Sequence, residues 1–509
     1  MTKRYGSERI KKGLTHFMLG KGVSAITGLG ASLLVIRVLS IESFAAYSVL
    51  VALVDVIETV SGLGFGHALV RYVPELYSKH FQKSLGRFVF GSLALRTGFL
   101  MLMTLVVYAF SAQLAPLVGL SDALVGFKVF LLVVVLRSTA HLSSLILEST
   151  LHQGAAQFGF SLSAMTRLIG MCVLLYRHQS ALVDVIWVEV IADGLSLLVM
   201  LFSISRVVSL KNKDQQNPED DGFWFRKHSK QVINFALSGY ATHLAISAYG
   251  GSTNRLIGGS LLTVGAMATF GFAQSLYEYV RRYMPAQLLI GLIRPIVVSR
   301  YCEKRDFSAP ASLCANILQI NILLIAGGIA LLVVGGGDVL ALISGGKYSV
   351  DAVPVLIMLF VVLILDTQRQ LLEVLAVTIE RYDHLILSYI LLSVSVVIAV
   401  FLVPTLGAVA FPVANALALL VTNMWIQHKL SKDTKFRIRH DWVAIFKVIV
   451  VCEMALLVGD GTKYLGLPWY YALLLSTIIY STLAFLLCGN MVRNFIKDLT
   501  GRSKAPAAI

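Results

Sequence analysis

The sequence predicts an all-α, polytopic membrane protein, and three observations carry that prediction. Of the 509 residues, 57% are hydrophobic and only 14% are charged, where soluble domains carry about 25% charged residues. The mean hydropathy is +0.78. Apolar runs recur from end to end, each long enough to cross about 30 Å of hydrocarbon as a helix. They use nearly all the residues, which excludes a water-soluble enzyme and leaves no room for a soluble domain of ordinary size.

About fourteen spans follow in order: 13–38, 44–69, 86–110, 123–147, 157–176, 181–205, 231–257, 264–291, 311–335, 353–374, 384–404, 408–427, 442–460 and 468–489. The longest hydrophilic stretch, 209–230, is rich in charge and amides and reads as a flexible linker. Trp224 and Phe225 at its end are expected as interface anchors. The linker divides the chain into an N-terminal lobe (1–208, spans 1–6) and a C-terminal lobe (231–428, spans 7–12). A last segment (429–509) holds two further helices and a tail. Of the 43 Lys and Arg, roughly thirty fall on one side of the membrane and about five on the other, a bias that places both termini in the cytoplasm. The net charge of +15 therefore sets orientation and does not call for a nucleic-acid partner. The cysteines, among them Cys302, are scattered, show no metal-ligand spacing and read as packing residues.

The two lobes carry an internal repeat. Arg37 and Arg255 close the first helix of each lobe, 218 residues apart, and Glu58 and Glu278 follow at 220. Arg71 and Arg294 stand 223 apart, LAPLVGL at 114–120 matches LALISGG at 340–346, and LESTLHQ at 147–153 matches LAVTIER at 375–381. The offset grows slowly and in one direction, as loop insertions would make it. Six spans per repeat bring both halves in from the same side, an arrangement common in transporters.

Three stretches carry a resemblance to a known family. LLVIRVLSIESFAAYSVLVALVDVI resembles the junction of the first two helices in bacterial polysaccharide exporters, LALISGGKYSVDAVPVLIML their loop between helices nine and ten, and VPTLGAVAFPVANALA their turn between helices eleven and twelve. The chain thus resembles the Wzx-type flippases of lipid-linked oligosaccharides, relatives of lipid II flippases and of multidrug-and-toxin extrusion transporters. The resemblance implies two six-helix lobes around a central cavity of alternating access. It also implies a glycan on a polyprenyl pyrophosphate as cargo, polysaccharide-assembly proteins as further partners, and no covalent chemistry or cofactor.

Charges within the spans are the candidate functional residues, because each costs about 2.5–3.5 kcal/mol at the bilayer centre. Lys21, Arg96, Arg137, Arg167, Arg281 and Arg282 are expected to hold the pyrophosphate, since Arg and Lys suit phosphate oxygens in a low-dielectric site. Asp55, Glu58, Glu278 and Asp366 are expected to bind a coupling ion or balance those cations, and Arg37 and Arg255 to gate the outer mouth. The same residues admit a structural reading, as ion pairs or as side chains snorkelling to an interface. Snorkelling is the reading for Arg71, Arg294 and Arg369. The histidines read as ordinary polar positions. Glycines cluster in the first helix of each lobe (Gly20, Gly22, Gly28 and Gly30; Gly239, Gly250, Gly251, Gly258 and Gly259) and serve close packing or bending.

No ATPase or nucleophile motif is present, so the expected activity is a flippase in a bacterial inner membrane serving cell-surface polysaccharide synthesis. A multidrug exporter of the same fold is the first alternative, and the excess of deep cations weighs against it. A polysaccharide polymerase or ligase is the second, and the short outer loops weigh against that.

Overall fold

The computed structural model describes residues 7–179, 181–209, 220, 222–247, 249–288, 290, 297, 301, 307–379, 381–436 and 442–499, with side chains from residue 20 onward. Arg294 and Cys302 lie outside them. The regular elements described are helical: α1 Ser7–Val38, α2 Ile41–Ser61, α3 Phe65–Ser78, α4 Gln82–Ala109, α5 Ser111–Leu117, α6 Leu124–Ser149, α7 Gln153–Tyr176, α8 Leu182–Ser209, α9 Trp224–Ser247, α10 Gly251–Leu261, α11 Val264–Tyr283, α12 Ser308–Ser344, α13 Ala352–Thr378, α14 Tyr382–Leu406, α15 Ala410–Thr434, α16 Trp442–Tyr464 and α17 Trp469–Leu499. They form two compact units, Met1–Ala268 and Thr269–Ile509.

Eleven stretches among the described residues are long and apolar enough to cross a membrane, and one of them, His384–Thr434, holds both α14 and α15. Helices occupy all fourteen expected positions, but the seventh and eighth do not qualify as spans. The seventh is divided into α9 and α10, and α9 opens on Arg226, Lys227, His228 and Lys230. The eighth, α11, carries Gln274, Glu278, Arg281 and Arg282 within one helix.

In the first unit, Ser40 caps α2 by accepting from the Ser43 N–H at 3.2 Å, and Glu42 lies in the favourable first turn. The second expected span does not run through to 69. It breaks after Ser61, where Leu63 (φ 45°) and Gly64 (φ 76°) take left-handed backbone, and α3 restarts at Phe65. Gly64 is required twice over: its φ suits glycine, and a Cβ there would sit 2.0 Å from the Ala236 carbonyl oxygen of α9. An apolar core of Leu69, Tyr72, Leu76, Leu85, Phe88, Ile146, Met200 and Ile204 ties α3, α4, α6 and α8 together.

The end of the expected linker docks on this core. The Asp220 carboxylate accepts from the Lys83 N–H (2.7 Å), the Ser84 N–H (3.2 Å), the Ser84 hydroxyl and the Gly222 N–H (3.1 Å). It thereby caps α4, whose first N–H groups have no partner within the helix. Gln82 donates to the Val207 and Val208 carbonyls at the end of α8. Trp224 is not an interface anchor: it is buried against Tyr72, Phe88 and His228. We expect Asp220→Ala to lower stability by about 1–2 kcal/mol and to speed proteolysis within 209–230. Unchanged melting and cleavage would show that the carboxylate does not hold the segment.

Three helix pairings of the first unit recur in the second. The pairings α4–α6, α6–α8 and α7–α8 recur as α12–α13, α13–α15 and α14–α15. Helices α9 and α10 pack instead on α3 and α2. Helix α12 bends at Gly335 (φ −147°) and ends at Gly345, whose left-handed φ of 70° lets the Gly346 N–H reach the Ala341 carbonyl at 2.7 Å. The two C-terminal helices dock on α12 through small residues: Gly327 faces the Tyr480 ring, Gly335 faces Leu473 and Gly459 faces Val334. The Tyr480 hydroxyl donates to the Leu323 carbonyl.

Candidate functional site

Of the expected cations, Arg137 of α6 and Arg167 of α7 come together with two acids of α8. The Arg137 Nε lies 2.9 Å from Asp193 and its guanidinium also contacts Glu189, while the Arg167 Nε lies 2.8 Å from Glu189 and its guanidinium contacts Asp193. The Tyr47 hydroxyl donates to Glu189 at 3.0 Å and the Ser163 hydroxyl to Asp193 at 3.3 Å. Glu189 and Asp193 are one helical turn apart, which places both carboxylates on one face of α8. The four charges sum to zero, the arrangement that makes burial of charge tolerable.

Arg96 of α4 is 3% exposed. It donates to the Ser138 carbonyl at 2.7 Å and lies 3.8 Å from Glu58. Glu58 also meets the His141 Nδ1 and the Ser138 hydroxyl, each at 3.3 Å. Asp55 accepts from Ser252 of α10 at 2.5 Å, and Arg255, buried on α10, is within Coulombic reach of it. Lys21 is half-buried on α1 within Coulombic reach of Glu148. Arg37 is exposed in the last turn of α1.

The second unit holds a separate cluster. Arg281 of α11 spans Glu278 and Asp366, each at 3.6 Å. Arg369 of α13 lies 3.0 Å from Asp366 and 3.1 Å from Glu373. Gln370 donates to Asp366 at 2.7 Å and Gln274 to Glu278 at 3.1 Å. Arg282 points elsewhere, exposed, with its guanidinium 5.9 Å from the Tyr279 ring centre. Arg369 does not snorkel: it is buried between two carboxylates. Its partners at i−3 and i+4 were legible in the sequence, as was the pairing of Glu278 with Arg281.

Within the first unit lies a cavity of about 590 Å³, in the range of small-ligand sites. Glu58, Arg96, Arg71, His67 and His243 give it charge and hydrogen-bonding groups, and Val70, Leu142, Leu145 and Phe235 form its apolar wall. The broken second span builds it. The gap between α2 and α3 exposes backbone, and the Val60 carbonyl freed there accepts from the Tyr240 hydroxyl at 2.6 Å. Gly239 leaves the space that the His67 ring occupies, 2.7 Å from where a Cβ would be. Arg71 borders the cavity while lying 3.2 Å from Glu75. His67 and His243 face each other edge to face with ring centres 6.3 Å apart. No spacing rule could have paired these histidines, because they sit on α3 and α9, far apart in the chain. Among the described residues no group of three or more His, Cys, Asp or Glu is arranged to hold a metal ion.

Residues 10–301 match the family model described as polysaccharide biosynthesis protein. Among curated proteins, no sequence match is found. In three dimensions the chain is similar to a lipid II flippase, MurJ, in an inward closed conformation, with a TM-score of 0.67 at 13% identity over 94% of this chain and 99% of that one. It is also similar to an inward-facing multidrug resistance MATE family transporter of the MOP superfamily, with a TM-score of 0.63 at 17% identity over 81% and 96%. A MATE transporter in a bent conformation gives 0.53 at 16% identity over 84% and 97%. At these identities the likenesses establish the fold.

Proposed function

The chain belongs to the polysaccharide biosynthesis protein family, and from that premise we propose that it flips a polyprenyl-pyrophosphate-linked oligosaccharide from the cytoplasmic to the outer leaflet of a bacterial inner membrane. The family match carries this reading. The fold shared with a lipid II flippase supports it, because that protein's named cargo is also a glycan on a lipid carrier. In this reading both termini are cytoplasmic and the lobes are the repeats 1–208 and 231–428. Other polysaccharide-assembly proteins supply and consume the cargo, and the protein itself makes no covalent bond.

Arg281 and Arg282 are the proposed ligands for the cargo diphosphate, with Lys21 as a further one. Arg37 and Arg255 close the outer mouth, and Asp55, Glu58, Glu278 and Asp366 balance charge or bind a coupling ion. Arg137 and Arg167 are neutralised by Glu189 and Asp193 and serve the first unit's integrity. The same neutralisation favours a second reading, export of organic cations, because it removes most of the cation excess that weighed against such cargo.

The test is flipping of a polyprenyl-pyrophosphate oligosaccharide in proteoliposomes. We expect Arg281→Ala/Arg282→Ala to slow flipping about tenfold or more, the scale of one or two lost charge-assisted hydrogen bonds. Flipping that is absent in the wild type, alongside efflux of organic cations, would replace this reading with the second.

A further inference from the structure

We propose that the cavity inside the first unit is a phosphate-binding site, and that His67 and His243 make its affinity depend on pH. The proposal rests on the flippase reading and deepens it: the ligand is the diphosphate diester of the lipid carrier, held by residues other than Arg281 and Arg282.

The lining argues for an anion with an apolar tail. Arg96 and Arg71 supply fixed positive charge, each already facing a carboxylate, Glu58 and Glu75 respectively. Glu58 is further occupied by His141 and Ser138. At neutral pH the fixed charges of this set nearly cancel, so the remaining titratable groups on the wall decide whether an anion is held. Those groups are His67 on α3 and His243 on α9. Their rings stand 6.3 Å apart with no carboxylate hydrogen-bonded to either among the described contacts. Two imidazolium ions at that separation repel each other, and a doubly charged diphosphate bound beside both would relieve the repulsion. Among the lining residues, Val70, Leu142, Leu145 and Phe235 offer an apolar surface for the first isoprenyl units. The volume of about 590 Å³ accommodates a diphosphate and a short apolar stem.

The direction of the pH effect follows from linkage. An anion favours the protonated imidazoles, so it binds more tightly at low pH and takes up protons as it binds. Protons and anion enter together, and an acid exterior therefore does not drive release. Where one proton is taken up, the bound diphosphate keeps one negative charge, and its outward movement is favoured by an inside-negative membrane potential.

The experiment uses the full chain in nanodiscs and geranyl-diphospho-N-acetylglucosamine as the probe, a diester whose phosphates stay ionised between pH 6 and 8. Calorimetry in buffers of different ionisation heat counts the protons. The expected wild-type result is binding about tenfold tighter at pH 6 than at pH 8, with one to two protons taken up per probe. His67→Gln/His243→Gln should bind at both pH values as the wild type does at pH 8, with no proton uptake. If the double variant fails to fold, His243→Gln alone should roughly halve the uptake. Wild-type binding without pH dependence, or a dependence that persists in the histidine variants, would overturn the proposal and leave the flippase reading to stand on transport. Absence of probe binding would overturn it as well, and proteoliposome flipping would then show whether the flippase reading falls with it.

Discussion

Replacing Asp193 by alanine is expected to lower the stability of the first unit by about 3–5 kcal/mol, the range measured when one partner is taken from a buried ion pair. Asp193 faces two guanidinium groups at once, Arg137 at 2.9 Å and Arg167 through a closer contact. It is 4% exposed, and Glu189 beside it is 2% exposed. Without Asp193, two half-buried cations share one carboxylate, and the uncompensated charge is only partly open to its surroundings. Because typical domains are stable by only about 5–15 kcal/mol, the loss should appear as a sharply lower melting temperature in detergent and a poor yield of folded protein. A compensating variant tests the cause. Removing a balanced pair together, Arg167→Met with Asp193→Leu, should recover most of the loss, since apolar replacement of a buried pair is often neutral or stabilising. If the double variant is no better than Asp193→Ala, neutrality is not what the quartet provides.

Gly64→Ala is expected to destabilise the same unit by about 3–4 kcal/mol, the sum of a left-handed backbone penalty and overpacking. The φ of 76° alone costs a non-glycine residue about 1–2 kcal/mol. The larger effect is steric. A Cβ at Gly64 would lie 2.0 Å from the Ala236 carbonyl oxygen and 2.4 Å from its carbon. Both are backbone atoms, so no rotamer change relieves the contact and α3 must separate from α9. Such a separation would also pull Tyr240 from the Val60 carbonyl and open the cavity. Gly66→Ala is the control, since its Cβ would meet only the Leu145 Cδ1 at an ordinary 3.5 Å. The measurement is thermal unfolding of both variants side by side. Equal melting temperatures would refute the account of Gly64 as the residue that allows this close approach.

The glycines show how far sequence reading reaches. Their clustering pointed to either close packing or bending. The structure answers with packing at Gly239, which admits the His67 ring, and at Gly259, whose Cβ would meet the Val118 carbonyl oxygen at 2.4 Å. The partners lie on other helices, so local sequence could name the role but not the neighbour. The same limit applies to Trp224. An aromatic residue beside a charged stretch suggests a membrane interface, yet Tyr72 and Phe88 bury it.

The sequence by itself determined the class of protein and the positions of the helices, and it put Asp366 and Arg369 within one turn of each other, although the snorkelling reading passes over their pairing. Each of these rests on apolarity or on spacings of three to seven residues, and an α-helix converts such spacings directly into shared faces. Only the tertiary structure decided which deep charges meet, Arg137 and Arg167 with Glu189 and Asp193 and Arg96 with Glu58, and which histidines do, His67 with His243 at the cavity wall. Those contacts join helices whose order in the chain does not fix their adjacency. A buried charge states only that it needs a partner, because desolvation penalises any isolated ion alike. Which partner answers depends on how whole helices pack, and glycines such as Gly64 and Gly259 set that packing by allowing the backbones to meet.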